Sequence, residues 1–121
     1  MQIANLAELD SFTTLDGSTI RELAGPAWTD ARNQSLAEAS VPAGGETAEH
    51  YHPGSEEIYY FTAGAGRMRL GEDERDVRAG DCVVIAPGVA HKLWSTGPSP
   101  LVLLCCCAPA YSDEDTVMTG R

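Results

Sequence analysis

The sequence predicts an all-β domain, a sandwich or barrel of short strands, and three observations carry that prediction. Turn signals recur at roughly 8 to 12 residue intervals along most of the chain. Between them lie short runs rich in Tyr, Ile, Val, Phe and Thr, residues that fit a pleated, half-buried surface. Several of these runs alternate charged and apolar residues, the period of a strand with one face buried.

Taken in order, Ser11-Phe12-Thr13-Thr14 and the run from Ser18 to Leu23 flank an Asp16-Gly17 turn and give short peripheral strands within residues 1–32. Gly25-Pro26 closes that segment. Residues 33–41 read as a longer strand in which positions 34, 36 and 38 share a face. Their alanine content makes a helix the rival reading, but Pro42-Ala43-Gly44-Gly45 would cut that helix to about two turns, too short to hold by itself. Residues 56–62 form the next strand, broken by Gly64-Ala65-Gly66. Residues 67–70 and 74–78 alternate around Gly71-Glu72-Asp73, which makes them a hairpin. The apolar run Cys82-Val83-Val84-Ile85 precedes Ala86-Pro87-Gly88, and Gly97-Pro98-Ser99-Pro100 leads into a final strand, residues 101–108. Residues 109–121 read as a solvated, partly frayed tail in which Ser112-Asp113-Glu114-Asp115 caps at most one helical turn.

A chain of 121 residues fits one domain, residues 1–121, with a single core, and no linker or repeat divides it. Eighteen acidic against eight basic residues give a formal charge of −10, which repels phosphate backbones and anionic lipid surfaces. Nucleic acid and membrane are therefore excluded as partners, and a small molecule is the expected one. The longest apolar run, 101–108, is too short to span a bilayer, and the N-terminus lacks the basic start and apolar stretch of a signal peptide, so a cytoplasmic location is expected. Cys105-Cys106-Cys107 suits neither a disulfide nor a structural zinc spacing. These thiols read as reduced and packed in a strand, with Cys105 or Cys107 open to a place in a cavity.

Two of the three histidines, His50 and His52, are two residues apart, so a strand presents both imidazoles on one face. Pro53-Gly54-Ser55 then turns the chain and lets the carboxylate of Glu57 fold back toward them. The third, His91, follows the turn at Ala86-Pro87-Gly88. Three imidazoles and one carboxylate suit a divalent transition ion: Fe(II), Mn(II), Ni(II), Cu(II) or Zn(II).

These two stretches resemble the paired motifs of the cupin superfamily. The first, G-x5-H-x-H-x(3,4)-E-x6-G, is met by Gly44, His50, His52, Glu57 and Gly64; Glu56 fits the shorter gap to the histidine, but only Glu57 also fits the gap to Gly64. The second, G-x5-P-x-G-x2-H-x3-N, is met at Gly80, Gly88 and His91, with Ala86 in place of proline and Ser95 in place of asparagine. The resemblance covers roughly residues 33–108, the expected barrel core, and is nearest to small single-domain members described as conserved-barrel or mannose-6-phosphate-isomerase-like cupins. It implies a double-stranded β-helix, or jelly-roll, barrel holding one metal ion on His50, His52, Glu57 and His91.

On a six-coordinate ion that ligand set leaves two positions for a chelating substrate or O2, which places Fe(II) first among the metals. The expected function is a metal-dependent enzyme of dioxygenase, isomerase or cyclase type acting on a small chelating carbonyl or hydroxy compound; the alternative is a cupin that binds or senses a ligand without turnover. Sugar-phosphate isomerisation is disfavoured by the acidity and the lack of a phosphate cradle. Glu57 and Tyr59 are the catalytic candidates, and Phe61, Leu103 and Cys105 the apolar wall against substrate. Arg67 and Arg69 share a face and read as solvated edge charges, or else as a clamp for a carboxylate substrate. If 57, 59 and 61 face inward, Ile58 and Tyr60 face out, as do Val102 and Leu104 opposite Leu103 and Cys105. An apolar outer face of this kind predicts a homodimer.

Overall fold

A computed structural model describes residues 1–121 as two antiparallel sheets. The first sheet runs in the order β1 (Phe12–Thr13), β2 (Thr19–Ala24), β3 (Ser35–Val41), β10 (Leu101–Ala108), β5 (Glu56–Ala63) and β8 (Cys82–Ile85). The second runs β11 (Val117–Met118), β4 (His50–Tyr51), β9 (His91–Ser95), β6 (Ala65–Leu70) and β7 (Asp73–Arg78). From β3 onward the chain passes repeatedly from one sheet to the other, the winding of a double-stranded β-helix. A single 3-10 turn, Leu6–Glu8, is the only helical element, and no helix is long and apolar enough to cross a membrane.

The strand over residues 33–41 is realised as β3, and the helix alternative loses because its inward residues Ser35, Ala39 and Val41 alternate with more exposed ones. In β5 the parity is equally plain: Glu57, Tyr59 and Phe61 are buried while Ile58 and Tyr60 are exposed. Antiparallel register stacks these inward residues into rungs across three strands. Ala39, Leu103 and Phe61 form one rung; Ala37, Cys105 and Tyr59 the next; Ser35, Cys107 and Glu57 the last. Polarity therefore rises from the apolar core, built on Val41, Phe61, Met68, Ile85, Leu101 and Leu103, toward one end of the barrel. Gly64 marks the far end of β5. Its φ of +84° suits glycine, and a Cβ there would collide with the Pro100 carbonyl.

The closing segment differs from the frayed tail expected of it. Residues 112–116 form two hydrogen-bonded turns, Asp115 N to Ser112 O and Thr116 N to Asp113 O, and β11 then pairs with β4 beside His50. Side chains rather than burial hold it down. Thr119 Oγ1 donates to Glu49 Oε1 at 2.7 Å, and Lys92 Nζ donates to the Arg121 carbonyl at 2.6 Å.

Candidate metal centre

The site lies at the polar end of the barrel, where β4, β5 and β9 meet. His50 on β4 is the direct cross-strand partner of His91 on β9, and His52 follows β4 immediately. The ring centroids of His50 and His91 are 4.4 Å apart, those of His50 and His52 5.1 Å, and those of His52 and His91 5.5 Å. One nitrogen of each ring lies within 4.8 Å of the others, so the three can hold one metal ion. All three residues are buried.

Each imidazole is oriented from behind by a backbone carbonyl. Nδ1 of His50 bonds Ala48 O at 3.0 Å, Nδ1 of His52 bonds Asp115 O at 3.1 Å, and Nδ1 of His91 bonds Val89 O at 2.9 Å. A carbonyl only accepts, so each Nδ1 carries the proton and each Nε2 presents a lone pair, the arrangement that outer-shell partners impose on metal-binding histidines. Glu57 closes the group: its Oε1 lies 3.4 Å from His52 Nε2 and 3.3 Å from His91 Nε2. Its other oxygen, Oε2, accepts the thiol of Cys107 at 3.0 Å. His52 Nε2, His91 Nε2 and Glu57 Oε1 are buried with no hydrogen-bond partner. Three orphaned acceptors aimed at one point fit a cation at their centre and are costly without one.

The electrostatics follow from burial and proximity. Burial and the neighbouring His91 hold the His50 imidazole below its ordinary value. Burial also acts against the charged form of His52, but the Glu57 carboxylate outweighs it and leaves that ring above its usual value. Burial works to raise Glu57, yet the His52 and His91 imidazoles beside it prevail and hold it far below the ordinary carboxylate range. Burial and then Glu57 push the Tyr59 phenol, the Cys105 thiol and the Cys107 thiol well up, so all three stay neutral.

A cavity of about 60 Å³ opens above the cluster, with His50, His52, Glu57, Tyr59, Leu103 and Cys105 in its wall. Phe61 is elsewhere: fully buried, it packs edge-on to Tyr59 one rung deeper, because β5 carries it past the polar end. Arg67 and Arg69 belong to the outer face of the second sheet. Arg67 pairs with Glu74 and Asp76, and Arg69 donates to Glu49 at 3.0 and 2.8 Å, so neither reaches the cavity to clamp a carboxylate. All four cysteines are free. The sequence reading missed Asp16, which stands in the wall 3.9 Å from His50 Nδ1, and Tyr111 and Thr116, which enter the wall from the tail. Asp16-Gly17 was legible only as a turn, and nothing in the tail's composition points inward.

The cupin domain family model matches residues 37–107. The chain belongs to the cupin family. This cupin is 46% identical over 109 residues to the uncharacterised protein MJ1618 of Methanocaldococcus jannaschii, over 90% of this chain and 87% of that one. Among solved structures it is similar to the Streptomyces nucleoside dehydratase Pac13, with a TM-score of 0.79 at 17% identity over 99% of this cupin and 91% of Pac13. It is also similar to the oxalate decarboxylase of Lactobacillus farciminis, with a TM-score of 0.78 at 24% identity over 93% of this cupin and 34% of the larger chain. At these identities the two structures share the fold with this cupin.

Proposed function

We propose that this cupin is an enzyme that holds one divalent transition metal on His50, His52, Glu57 and His91 and acts on a small chelating carbonyl or hydroxy compound. The observation that carries the reading is the set of three buried acceptors, His52 Nε2, His91 Nε2 and Glu57 Oε1, left without partners while every Nδ1 is bonded from behind. When bound, the ion supplies Lewis-acid polarisation of a substrate oxygen or, as Fe(II), redox chemistry. The chain's own residues do the rest. The backbone carbonyls lock each imidazole in the metal-binding tautomer, and the Cys107 thiol occupies Glu57 Oε2 so that only Oε1 faces the cluster. Leu93, Leu103 and Val41 line the cavity and keep bulk water from the reacting atom. Tyr59, edge-on to His91 at 5.7 Å, remains a neutral phenol and serves as the hydrogen-bond donor to substrate, while Glu57 remains ionised and serves as an acceptor.

Dioxygenase, isomerase and cyclase chemistry all use such a centre, and the dehydratase and decarboxylase among the structural relatives share only its fold. The test begins with elemental analysis of protein purified without chelators or metal-affinity steps. Anaerobic nitric oxide is then added to the Fe(II) protein, and its paramagnetic resonance is recorded with and without small diketones. A high-spin nitrosyl signal perturbed by the diketone supports the redox form. Protein that keeps only zinc and consumes no oxygen with any candidate rejects the redox form and leaves Lewis-acid catalysis or ligand binding without turnover, and protein that retains no metal removes the proposal.

A further inference from the structure

The cavity above the histidines contains a carboxylate that is firmly held but only half used. Asp16 sits in the turn joining β1 to β2. Its Oδ1 accepts three hydrogen bonds, from Thr14 Oγ1 at 2.9 Å, Ser18 N at 2.9 Å and Ser18 Oγ at 2.6 Å. That cradle fixes the orientation of the group, whose side chain is 13% exposed. Oδ2 accepts none. His50 Nδ1 lies 3.9 Å from it, beyond hydrogen-bond range and already committed to Ala48 O. Oδ2 is thus an acceptor held in place in the cavity wall and left for something that enters the cavity.

The rest of the wall narrows what that something is. Asp16, Glu22 and Glu57 are all present in the lining, and no lysine or arginine is. At the Asp16 end of this low-dielectric space a carboxylate or phosphate meets Asp16 and Glu22 with no side-chain cation between them, whereas a cation held on the histidines is already faced by Glu57. A ligand bearing an O–H or N–H, by contrast, pairs with an acceptor that no protein donor uses, and a site built this way discriminates against analogues lacking the donor. The cavity is small, about 60 Å³, and suits a compact ligand rather than one the size of a nucleoside.

We propose that Asp16 Oδ2 is the ligand-recognition group of this cavity, accepting a hydrogen bond from the hydroxyl or amine of a small uncharged or cationic compound whose other end reaches the histidine cluster. The inference rests on the reading of that cluster as a metal centre. The class it names is the compact hydroxy ketones, diols and amino alcohols, with dicarboxylates, sugar phosphates and nucleosides outside it.

The test uses the full-length protein loaded with Co(II), whose visible bands report ligands at the metal. Cobalt stoichiometry is measured first for wild type and for Asp16→Asn, then each is titrated with 2-aminoethanol, hydroxyacetone and glycolate. Asp16→Asn keeps the shape of the side chain but turns the open acceptor into an amide donor. It should weaken 2-aminoethanol and hydroxyacetone by about tenfold or more while tightening glycolate. Ser18→Ala loosens the turn yet leaves the Oδ2 carboxylate, so it should lower the melting temperature without changing the order of ligands. A crystal of the wild-type protein with 2-aminoethanol gives an answer independent of any variant: the nitrogen should lie within hydrogen-bond distance of Asp16 Oδ2. If cobalt binds both proteins and the ligand constants agree within twofold, or if the nitrogen sits elsewhere, the role of Asp16 is overturned and the metal centre stands. If neither protein binds cobalt, the metal reading fails and takes this inference with it.

Discussion

The imidazole of His52 and the backbone carbonyl of Asp115 meet at 3.1 Å, joining the candidate metal centre to a residue 63 positions away. The Asp115 carboxylate also accepts Gly54 N at 2.9 Å and Ser55 N at 3.0 Å, so one tail residue orients a ligand and fixes the loop between His52 and Glu57. Losing outer-shell partners of this kind typically costs about 10- to 100-fold in metal affinity. Ending the chain after Tyr111 should therefore weaken metal binding by about that factor while the buried core, which contains no residue beyond Cys107, stays folded. Chelator competition measures the first and circular dichroism the second. An unchanged affinity would show the tail to be a passenger.

The four-ligand assignment makes its own prediction. His52→Ala and His91→Ala should each reduce bound metal to background, and if either variant keeps full metal at unchanged affinity the assignment is wrong. Binding needs neutral imidazoles, so metal should be released on acidification through roughly pH 6 to 4. His50 sharpens the expectation. Its lowered value keeps its ring neutral at pH values where a free imidazole is already protonated, so His52, held above its usual value, is the ligand whose protonation starts the release at the upper end of that window.

How much of this was legible depends on the kind of contact. The inward parity of Glu57, Tyr59 and Phe61 and the shared face of His50 and His52 follow from strand geometry, because local backbone rules act within a few residues, whereas the arrival of the distant His91 was implied by the resemblance to the paired cupin motifs. Asp16 and Asp115 obey no such rule. Asp16 reaches the site only because β1 and β2 fold against the edge of β3, and Asp115 contributes a backbone carbonyl, which every residue possesses. Phe61 shows a smaller failure: parity gave its face, but not how deep along the barrel the cavity ends.

Glu49 predicts a pH dependence unrelated to metal. Burial acts to raise it, but the Thr119 hydroxyl and the Arg69 guanidinium outweigh that and hold its carboxyl below its ordinary value. A depressed folded value means the stabilisation is complete above about pH 4.5 and is lost as pH falls toward the folded value. Wild-type stability should fall on acidification from about pH 5 to 3. Glu49→Gln should be less stable at pH 7 and show a shallower decline across that window. Urea unfolding at stepped pH compares the two slopes, and identical slopes would remove Glu49 as a contributor.

The outer face of the first sheet gives the last prediction. Register places Val84, Ile58, Cys106 and Leu36 in one row across four strands, with Tyr60 and Leu104 paired in the neighbouring row. Val84 is 59% exposed, Tyr60 45% and Ile58 37%, so the apolar stripe is wet in the isolated chain. Leaving it so costs roughly 25 cal/mol for each Å² of apolar surface, and contiguous patches of this kind mark interfaces more often than free surface. A second copy is the simplest cover, since a two-fold axis lets the same stripe bury itself on both chains. Light scattering at micromolar concentration should return twice the 12.9 kDa chain mass. The double variant Ile58→Glu, Tyr60→Glu places charge in the middle of the stripe without touching the inward rungs, so it should return a folded monomer that keeps its metal stoichiometry. A wild-type monomer at that concentration would show that the stripe stays exposed, and a dimer that survives both substitutions would move the interface to another face of the barrel.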